Sequence, residues 1–289
     1  MIYQRQKELL YIIGKIGNTG RTQIQKLEFL SCITSNVPSY DFIPYNFGPY
    51  SKTLQNDLDY LVKQGLLTII NDQYQMPDKR SLIVNVKRQK EIDAMLYQFN
   101  DWTATDLMRF VYKEYPFFAL NSTRAEELLT PSELKRVQVC QPSDEDPVIF
   151  TIGYEGKSLE KYLLQLYQKN VHLLVDVRAS SYSMKKEFIG SRLASGCKLL
   201  NIDYKHIPEL GIPNTYRKAI PNKGQLFRVY KNKLLSQRAI EIKNIADLVI
   251  KEKRVALTCF EASHTDCHRH HLAEELFKYL DKSIPVEHL

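Results

Sequence analysis

The chain has 289 residues, 44% of them hydrophobic, with a net charge of +7. That is enough apolar material for two ordinary domains. No run approaches the roughly 18 apolar residues a membrane-spanning helix needs. Five cysteines at irregular spacing exclude a disulfide framework and suit a reducing cytoplasm. The charge is uneven. Residues 147–289 hold 23 Lys and Arg against 15 Asp and Glu, whereas residues 1–146 hold 17 against 18. A phosphate-bearing partner is therefore expected at the second half first, the alternative being a merely solvated basic surface.

The amino-terminal stretch mixes charged and apolar residues and has no small-residue cleavage site, so it reads as a mature amphipathic helix over 1–17 and not as a signal peptide. Leu9, Ile12, Ile13 and Ile16 share its buried face. A Gly-Asn-Thr-Gly turn follows. A second helix over 21–34 buries Ile24, Leu27, Leu30 and Ile33. Asp41–Tyr45 is a short strand that Gly48, Pro49 and Tyr50 break. Ser51 caps a third helix with Leu54, Leu58, Leu61 and Val62 inward, and Gly65 ends it. Residues 66–71 and 73–76 form a hairpin around Asp72. Three helices and a hairpin are the order of a winged helix.

The phrase FIPYNFGPYSKTLQNDLDYLVKQGLL resembles the winged-helix domains of bacterial regulators and antitoxin-like proteins. The resemblance covers residues 20–76 and makes the third helix the candidate reader of a DNA groove. Its expected outer face carries Lys52, Gln55, Asn56, Asp57, Asp59 and Lys63. That is mixed charge, equally suited to a protein partner, because phosphate contacts supply most DNA affinity. Helices follow at 87–100, 103–115 and 123–130. Their aromatics, Trp102, Phe110, Tyr112, Tyr115, Phe117 and Phe118, suit a core better than a stack for bases. The expected division is a winged-helix domain with a helical extension over 1–137, a polar, proline-flanked linker over 138–147 and an α/β domain over 148–289.

In that second domain Val148–Gly153 is a buried strand and Ser158 caps a helix bearing Leu159, Leu163, Leu164 and Leu166. Val171–Arg178 is a second buried strand. Together they make a βαβ unit with parallel strands. A helix near 189–200 leads to a third strand, Asp203–Ile207. Residues 209–224 are loop-rich, and 226–249 are largely helical. Arg254–Leu280 supplies the last strand, ending at Cys259, a polar loop, and a helix opened by Cys267, His268 and Arg269 and capped by Asp266 or Thr265.

Three loops thus leave the carboxyl ends of strands, where open α/β sheets bind ligands. The first holds Tyr154, Glu155 and Lys157, the second Asp176, Arg178, Ser183, Lys185 and Lys186, and the third Cys259, Glu261, Cys267, His268 and Arg269. Cys267, at a helix N-terminus beside Arg269, is either an activated thiol or a half-buried packing residue. Cys259, at the end of an apolar strand, is expected to be packed. Glu261 is a base or orients a histidine, the alternative being a helix cap or a salt bridge with Arg178 or Arg269. Arg178 and Arg269 suit a phosphate or carboxylate. Cys259, His264, Cys267 and His268 offer soft ligands, but C-x4-H and adjacent C-H spacings fit a tetrahedral zinc poorly and no CxxC exists, so no metal is expected. The sequence leaves the cofactor unknown.

The blocks TIGYEGKSLEKYL, LLVDVRASSYS, IDYKHIPELG and LTCFEASHTDCHRHHLAEEL, in that order, resemble the domain of unknown function 488 family over residues 148–280. The resemblance implies a Rossmann-like α/β domain without a settled activity, in settings linked to DNA metabolism or defence. Its characteristic positions here are Gly153, Tyr154, Asp176, Arg178, Ser183, Tyr204, Cys259, Glu261, Cys267, His268 and Arg269. Ile212 stands after Leu210-Gly211 where the family usually has a second glycine. The resulting expectation is an enzyme-like domain acting on a nucleic acid or nucleotide, with hydrolysis the reaction that best fits the carboxylate–histidine set. Asp176, Glu261, Cys267 and His268 would do the chemistry. Tyr154, Arg178, Ser183, Lys185, Lys186, Tyr204, Cys259 and Arg269 would hold substrate. The alternative is a non-catalytic regulator whose α/β domain senses a nucleotide or other anion.

Overall fold

A computed structural model describes residues 2–77, 84–99 and 101–289, in two compact units, Met1–Gln141 and Pro142–Leu289. The helix limits expected at Met1 and Asn100 lie outside the described residues. Among the described residues no helix is long and apolar enough to cross a membrane.

The first unit runs α1 (Gln4–Ile16), β1 (Thr19–Gly20), α2 (Arg21–Ile33), β2 (Ile43–Tyr45), β3 (Gly48–Tyr50), α3 (Lys52–Lys63), β4 (Thr68–Ile70) and β5 (Gln73–Gln75). It continues with α4 (Val86–Phe99), α5 (Ala104–Glu114), α6 (Ala125–Leu128) and α7 (Pro131–Val139). The apolar stripes of α1, α2 and α3 meet in one core. Ser51 Oγ accepts the Leu54 N–H at 3.2 Å, which satisfies one of the orphan donors of α3. The Gln25 side chain brackets Ser51, accepting its N–H at 2.9 Å and donating to its carbonyl at 3.1 Å.

Gly48-Pro49-Tyr50 does not break the preceding strand but pairs with it, Pro44 opposite Pro49. Two prolines tolerate this because the ribbon has only two strands and neither ring must donate to a further neighbour. The β4–β5 hairpin turns through Asn71 and Asp72, both at positive φ. β1 adds to its other edge. Phe29 holds Phe42, Tyr115 and Phe118 edge-on at 4.7–5.4 Å, so these aromatics are core. Helix α7 enters the stretch expected to be linker. A Thr130-Pro131-Ser132-Glu133 capping box starts it, the Thr130 N–H donating to Glu133 Oε2 at 2.9 Å.

The outer face expected for α3 is narrower in the structure. Asp57 is buried and accepts from Arg5 at 2.6 Å, Gln6 at 2.7 Å and Tyr40 at 3.1 Å, and Gln55 is buried beside Tyr74. Two further ionisable groups sit inside α2. Burial lowers the Lys26 ammonium to a pKa of about 7, and its Nζ donates to the Pro49 carbonyl at 3.0 Å. Burial raises the Glu28 carboxyl to about 8, and neither of its oxygens has a hydrogen-bond partner among the described residues.

The second unit is α/β, with a five-stranded parallel sheet in the order β10–β6–β9–β7–β8. Its elements are β6 (Val148–Gly153), α8 (Leu159–Gln168), β7 (Leu173–Asp176), α9 (Gly190–Lys198) and β8 (Asp203–His206). Then come α10 (Asn214–Ala219), α11 (Lys223–Val229), α12 (Ala239–Glu252), β9 (Arg254–Cys259), α13 (His268–Leu276) and β10 (Val286–His288). The strands β6, β7 and β9 are buried along their whole length, as continuous apolar runs require in a sheet covered on both faces. Ser158 caps α8 through the Lys161 N–H at 3.1 Å. The long helix expected at 226–249 is interrupted by a π turn at Tyr230–Leu234 and a 3-10 turn before α12.

The sheet does not end with β9. The edge strand β10 pairs in parallel with β6, Val286 opposite Ile149 and His288 opposite Thr151. Three residues without an apolar run leave little pattern to detect, and β6 supplies the pairing edge.

Candidate functional site

The parallel register sets Gly153 beside Cys259, and Thr258 beside Asp176. Their following loops therefore leave one sheet edge together. Gly153 is required there: a Cβ on it would lie 1.8 Å from the Glu261 carbonyl oxygen. Gly211 plays the same part against the backbone of Ala179. Ile212, after it, is buried in the core, so that turn carries an apolar anchor where a second glycine was the usual expectation.

Asp176 is 0% exposed and lies beneath Arg178. Its carboxylate accepts Arg178 Nε at 2.8 Å, Arg178 Nη2 at 2.5 Å and the Tyr204 hydroxyl at 2.7 Å. Arg178 Nη1 donates to the Tyr154 hydroxyl at 2.9 Å, which in turn donates to Ser183 Oγ at 3.3 Å. Burial pulls the Arg178 guanidinium down, but the bond and charge of Asp176 and the Tyr154 phenol outweigh it and hold it above its ordinary value. The Tyr154 ring stacks on Phe188 at 4.4 Å. Asp176, Arg178, Tyr154, Ser183 and Tyr204 thus form one connected network. Asp176 is its anchor, with no surface to offer a substrate.

Above the network lies a cleft of about 580 Å³, within the usual size of small-molecule sites. Tyr154, Arg178, Asn214, Arg217, Cys259 and Glu261 are among its lining residues. Arg217 has no counterpart among the sequence-derived candidates. It sits on α10 in a stretch with no periodicity, between Pro213 and Pro221, and only its charge marks it. Its Nη1 lies 3.9 Å from Glu261 Oε1, so it is the more available of the two guanidinium groups.

Behind the cleft wall are Cys267, His268 and Arg269, each about 1% exposed. Arg269 does not reach an anion. It donates to the carbonyls of Glu261 at 2.7 Å and Ala262 at 3.1 Å, clamping the loop that crosses Gly153. Cys267 is itself the N-cap of α13, with no side-chain cap bond, where Asp266 or Thr265 was expected. Burial chiefly pushes its thiol pKa up, against the lowering expected from the helix N-terminus. His268 Nε2 donates to the Val177 carbonyl at 3.0 Å. A carbonyl only accepts, so in the neutral ring Nδ1 carries the lone pair. That atom lies 3.6 Å from Cys259 Sγ and 3.8 Å from Cys267 Sγ. The Cys259 thiol also donates to Glu261 Oε2 at 3.4 Å. Burial raises the Glu261 carboxyl, but hydrogen bonds from Cys267, its own backbone and Cys259, with the charge of His268, outweigh it and hold its pKa below the ordinary value.

The two lysines proposed for substrate lie elsewhere in the second loop. Lys185 Nζ donates to the Lys157 carbonyl at 2.9 Å, and Lys186 is exposed on a 3-10 turn. A second histidine group, His264, His270 and His288, lies at the β10 side of the same edge, the first and last rings stacked at 3.6 Å. Burial and the neighbouring His270 and Arg269 lower the pKa of His264.

Residues 158–276 match the model of the family described as Domain of unknown function DUF488. No curated protein matches the chain.

Proposed function

We propose that the DUF488 domain at residues 158–276 belongs to a Rossmann-like unit that binds a phosphate-bearing ligand, a nucleotide or nucleic acid, and acts on it. The amino-terminal unit would be a winged helix that brings it to DNA or to a protein partner. One observation carries the reading: a cleft at the carboxyl edge of a parallel sheet in which Arg217, only loosely paired with Glu261, stands beside Arg178. Glu261 reaches the cleft with its carboxylate held ionised, as a hydrolytic base requires. The net +8 of residues 147–289 supports an anionic ligand. The order helix, helix, helix, hairpin supports the winged helix, whose third helix exposes Lys52, Asn56, Asp59 and Lys63. The setting implied by the resemblance is DNA metabolism or defence, and the irregular cysteine spacing suits the cytoplasm.

The alternative, a sensor without turnover, is favoured by the burial of Asp176, Cys267 and His268, which leaves Glu261 as the proposed catalytic group that lines the cleft.

Calorimetric titration with nucleoside mono- and triphosphates and short DNA, alongside a phosphate-release assay, tests both readings. Arg217→Ala is expected to weaken binding about tenfold, the loss of one charge-assisted contact. Unchanged affinity would remove the cleft as the phosphate site. Turnover lost in Glu261→Gln with binding intact marks an enzyme; binding without turnover marks the sensor.

A further inference from the structure

We propose that Cys259, Cys267 and His268 hold a zinc ion, closed on its inner side, with the fourth position toward the cleft beside Glu261. The site does not depend on what the cleft binds.

The first support is geometric. Zinc bonded to sulfur at about 2.3 Å, and to imidazole nitrogen and carboxylate oxygen at about 2.0–2.2 Å, sets tetrahedral neighbours at characteristic separations. These are about 3.8 Å for two sulfurs, about 3.6 Å for sulfur and nitrogen and about 3.5 Å for sulfur and oxygen. The observed sulfur–nitrogen distances are 3.6 and 3.8 Å, and the sulfur–oxygen distance is 3.4 Å. The two sulfurs and Nδ1 all lie within 4.8 Å of one another, a group of three that the Glu261 carboxylate adjoins through Cys259.

The second support is the orientation of His268. Its Nε2–H is held by the Val177 carbonyl, a contact that turns the Nδ1 lone pair toward both thiols. A ligating histidine almost always has its other ring nitrogen fixed in this way.

The third is electrostatic. Zinc displaces the thiol protons, so two thiolates and the neighbouring Glu261 carboxylate leave a net charge of −1 with the ion. Arg217 lies 3.9 Å from Glu261 on the cleft side, and Arg269 holds the Glu261 carbonyl on the other. Two thiolates with an imidazole favour zinc over magnesium or calcium.

Adjacent ligands at 267 and 268 look wrong for one ion, because neighbours diverge by about 100° on a helix and about 180° on a strand. The N-cap resolves this. Cys267 is extended, at φ −131° and ψ 141°, and His268 is the first helical residue, so the change of conformation between them brings both side chains to one point.

This assignment gives Cys267 and His268 a ligand role and removes them from nucleophilic and acid–base duty. The test uses the full-length chain, expressed with zinc supplied and purified without a metal-affinity tag. Elemental analysis is expected to find zinc at one equivalent per chain. Exchange for cobalt should produce thiolate-to-cobalt charge-transfer absorption and the visible bands of a tetrahedral ion. Two thiols should become reactive to a disulfide reagent only after chelation. The double variant Cys259→Ser/Cys267→Ser should lose the metal, while His264→Ala/His288→Ala should keep it. Glu261→Gln should keep both the metal and the charge-transfer absorption.

Metal-free protein would overturn the proposal. So would cobalt bound without thiolate absorption, metal lost only in the histidine pair variant, or a Cys259–Cys267 disulfide in protein alkylated before reduction. The cobalt spectrum is read on the unmodified chain, so a variant that fails to fold does not spare the proposal.

Discussion

Both units bury charge, but they do so differently. In the second, Asp176, Arg178, Tyr204 and Tyr154 satisfy one another in a single network under a cleft. In the first, Asp57 ties α3 to α1 through Arg5 and Gln6, Arg88 ties α4 to Glu8, and Glu28 is buried without a hydrogen bond among the described residues. The contrast follows from architecture. Parallel strands deliver every carboxyl end to one edge, so polar groups there converge. Helices packed around a core present their polar positions in scattered directions, so each buried group braces a different pair of elements. Convergence is what a ligand site needs, and it is present in the sheet unit.

The sharpest way to break the comparison is to remove one carboxylate from each unit. Asp176→Ala strands the buried Arg178 guanidinium and should cost about 3–5 kcal/mol in denaturant unfolding. Asp57→Ala should cost less, about 1–3 kcal/mol, because Arg5 is partly exposed and can turn to water. Equal losses would mean that the sheet-edge network is no more interdependent than the helical brace.

Gly153→Ala comes next. The added methyl overlaps the Glu261 carbonyl, so the loop must shift at a cost of about 2–3 kcal/mol. Ser158→Ala, which removes only a helix cap in the same unit, should cost about 1 kcal/mol. A Gly153→Ala loss no greater than that would show that the loop crosses Gly153 loosely.

The last comparison is a pH slope that arises in the first unit. Glu28 has a carboxyl raised to about 8 from 4.5, so the folded chain holds a proton that the unfolded chain releases. Stability is therefore greatest below pH 4.5 and falls as pH rises toward 8, by at most about 1.4 kcal/mol per pH unit. Lys26, lowered to about 7 from 10.5, acts in the opposite sense and restores stability as pH rises from 7 to 10.5. The two windows place a minimum near pH 7–8. Glu28→Gln should flatten the acid side and Lys26→Met the alkaline side, read from unfolding midpoints across pH. A wild-type midpoint that rises between pH 5 and 8 would contradict the assignment.

Local chemistry made much of the architecture legible. The apolar runs at 148–153 and 254–259 have the composition of strands covered on both faces, and Ser51 and Ser158 precede helices that need a cap; periodicity and capping act within a few residues. The βαβ step implied parallel strands, and parallel strands implied that Tyr154, Asp176 and Cys259 leave one edge. Tertiary structure decided which of those residues face the cleft. Asp176 is buried beneath Arg178 and Tyr204, Arg269 is turned back onto the carbonyls of Glu261 and Ala262, and Arg217 enters the cleft from a helix with no pattern of its own. The strand Val286–His288 exists because β6 offers it an edge. The meeting of Cys259, Cys267 and His268 depends on an extended residue at one helix start, a backbone angle that composition does not encode. Short-range propensity sets elements and their order, whereas the direction of a side chain at an element's end is set by what packs around it.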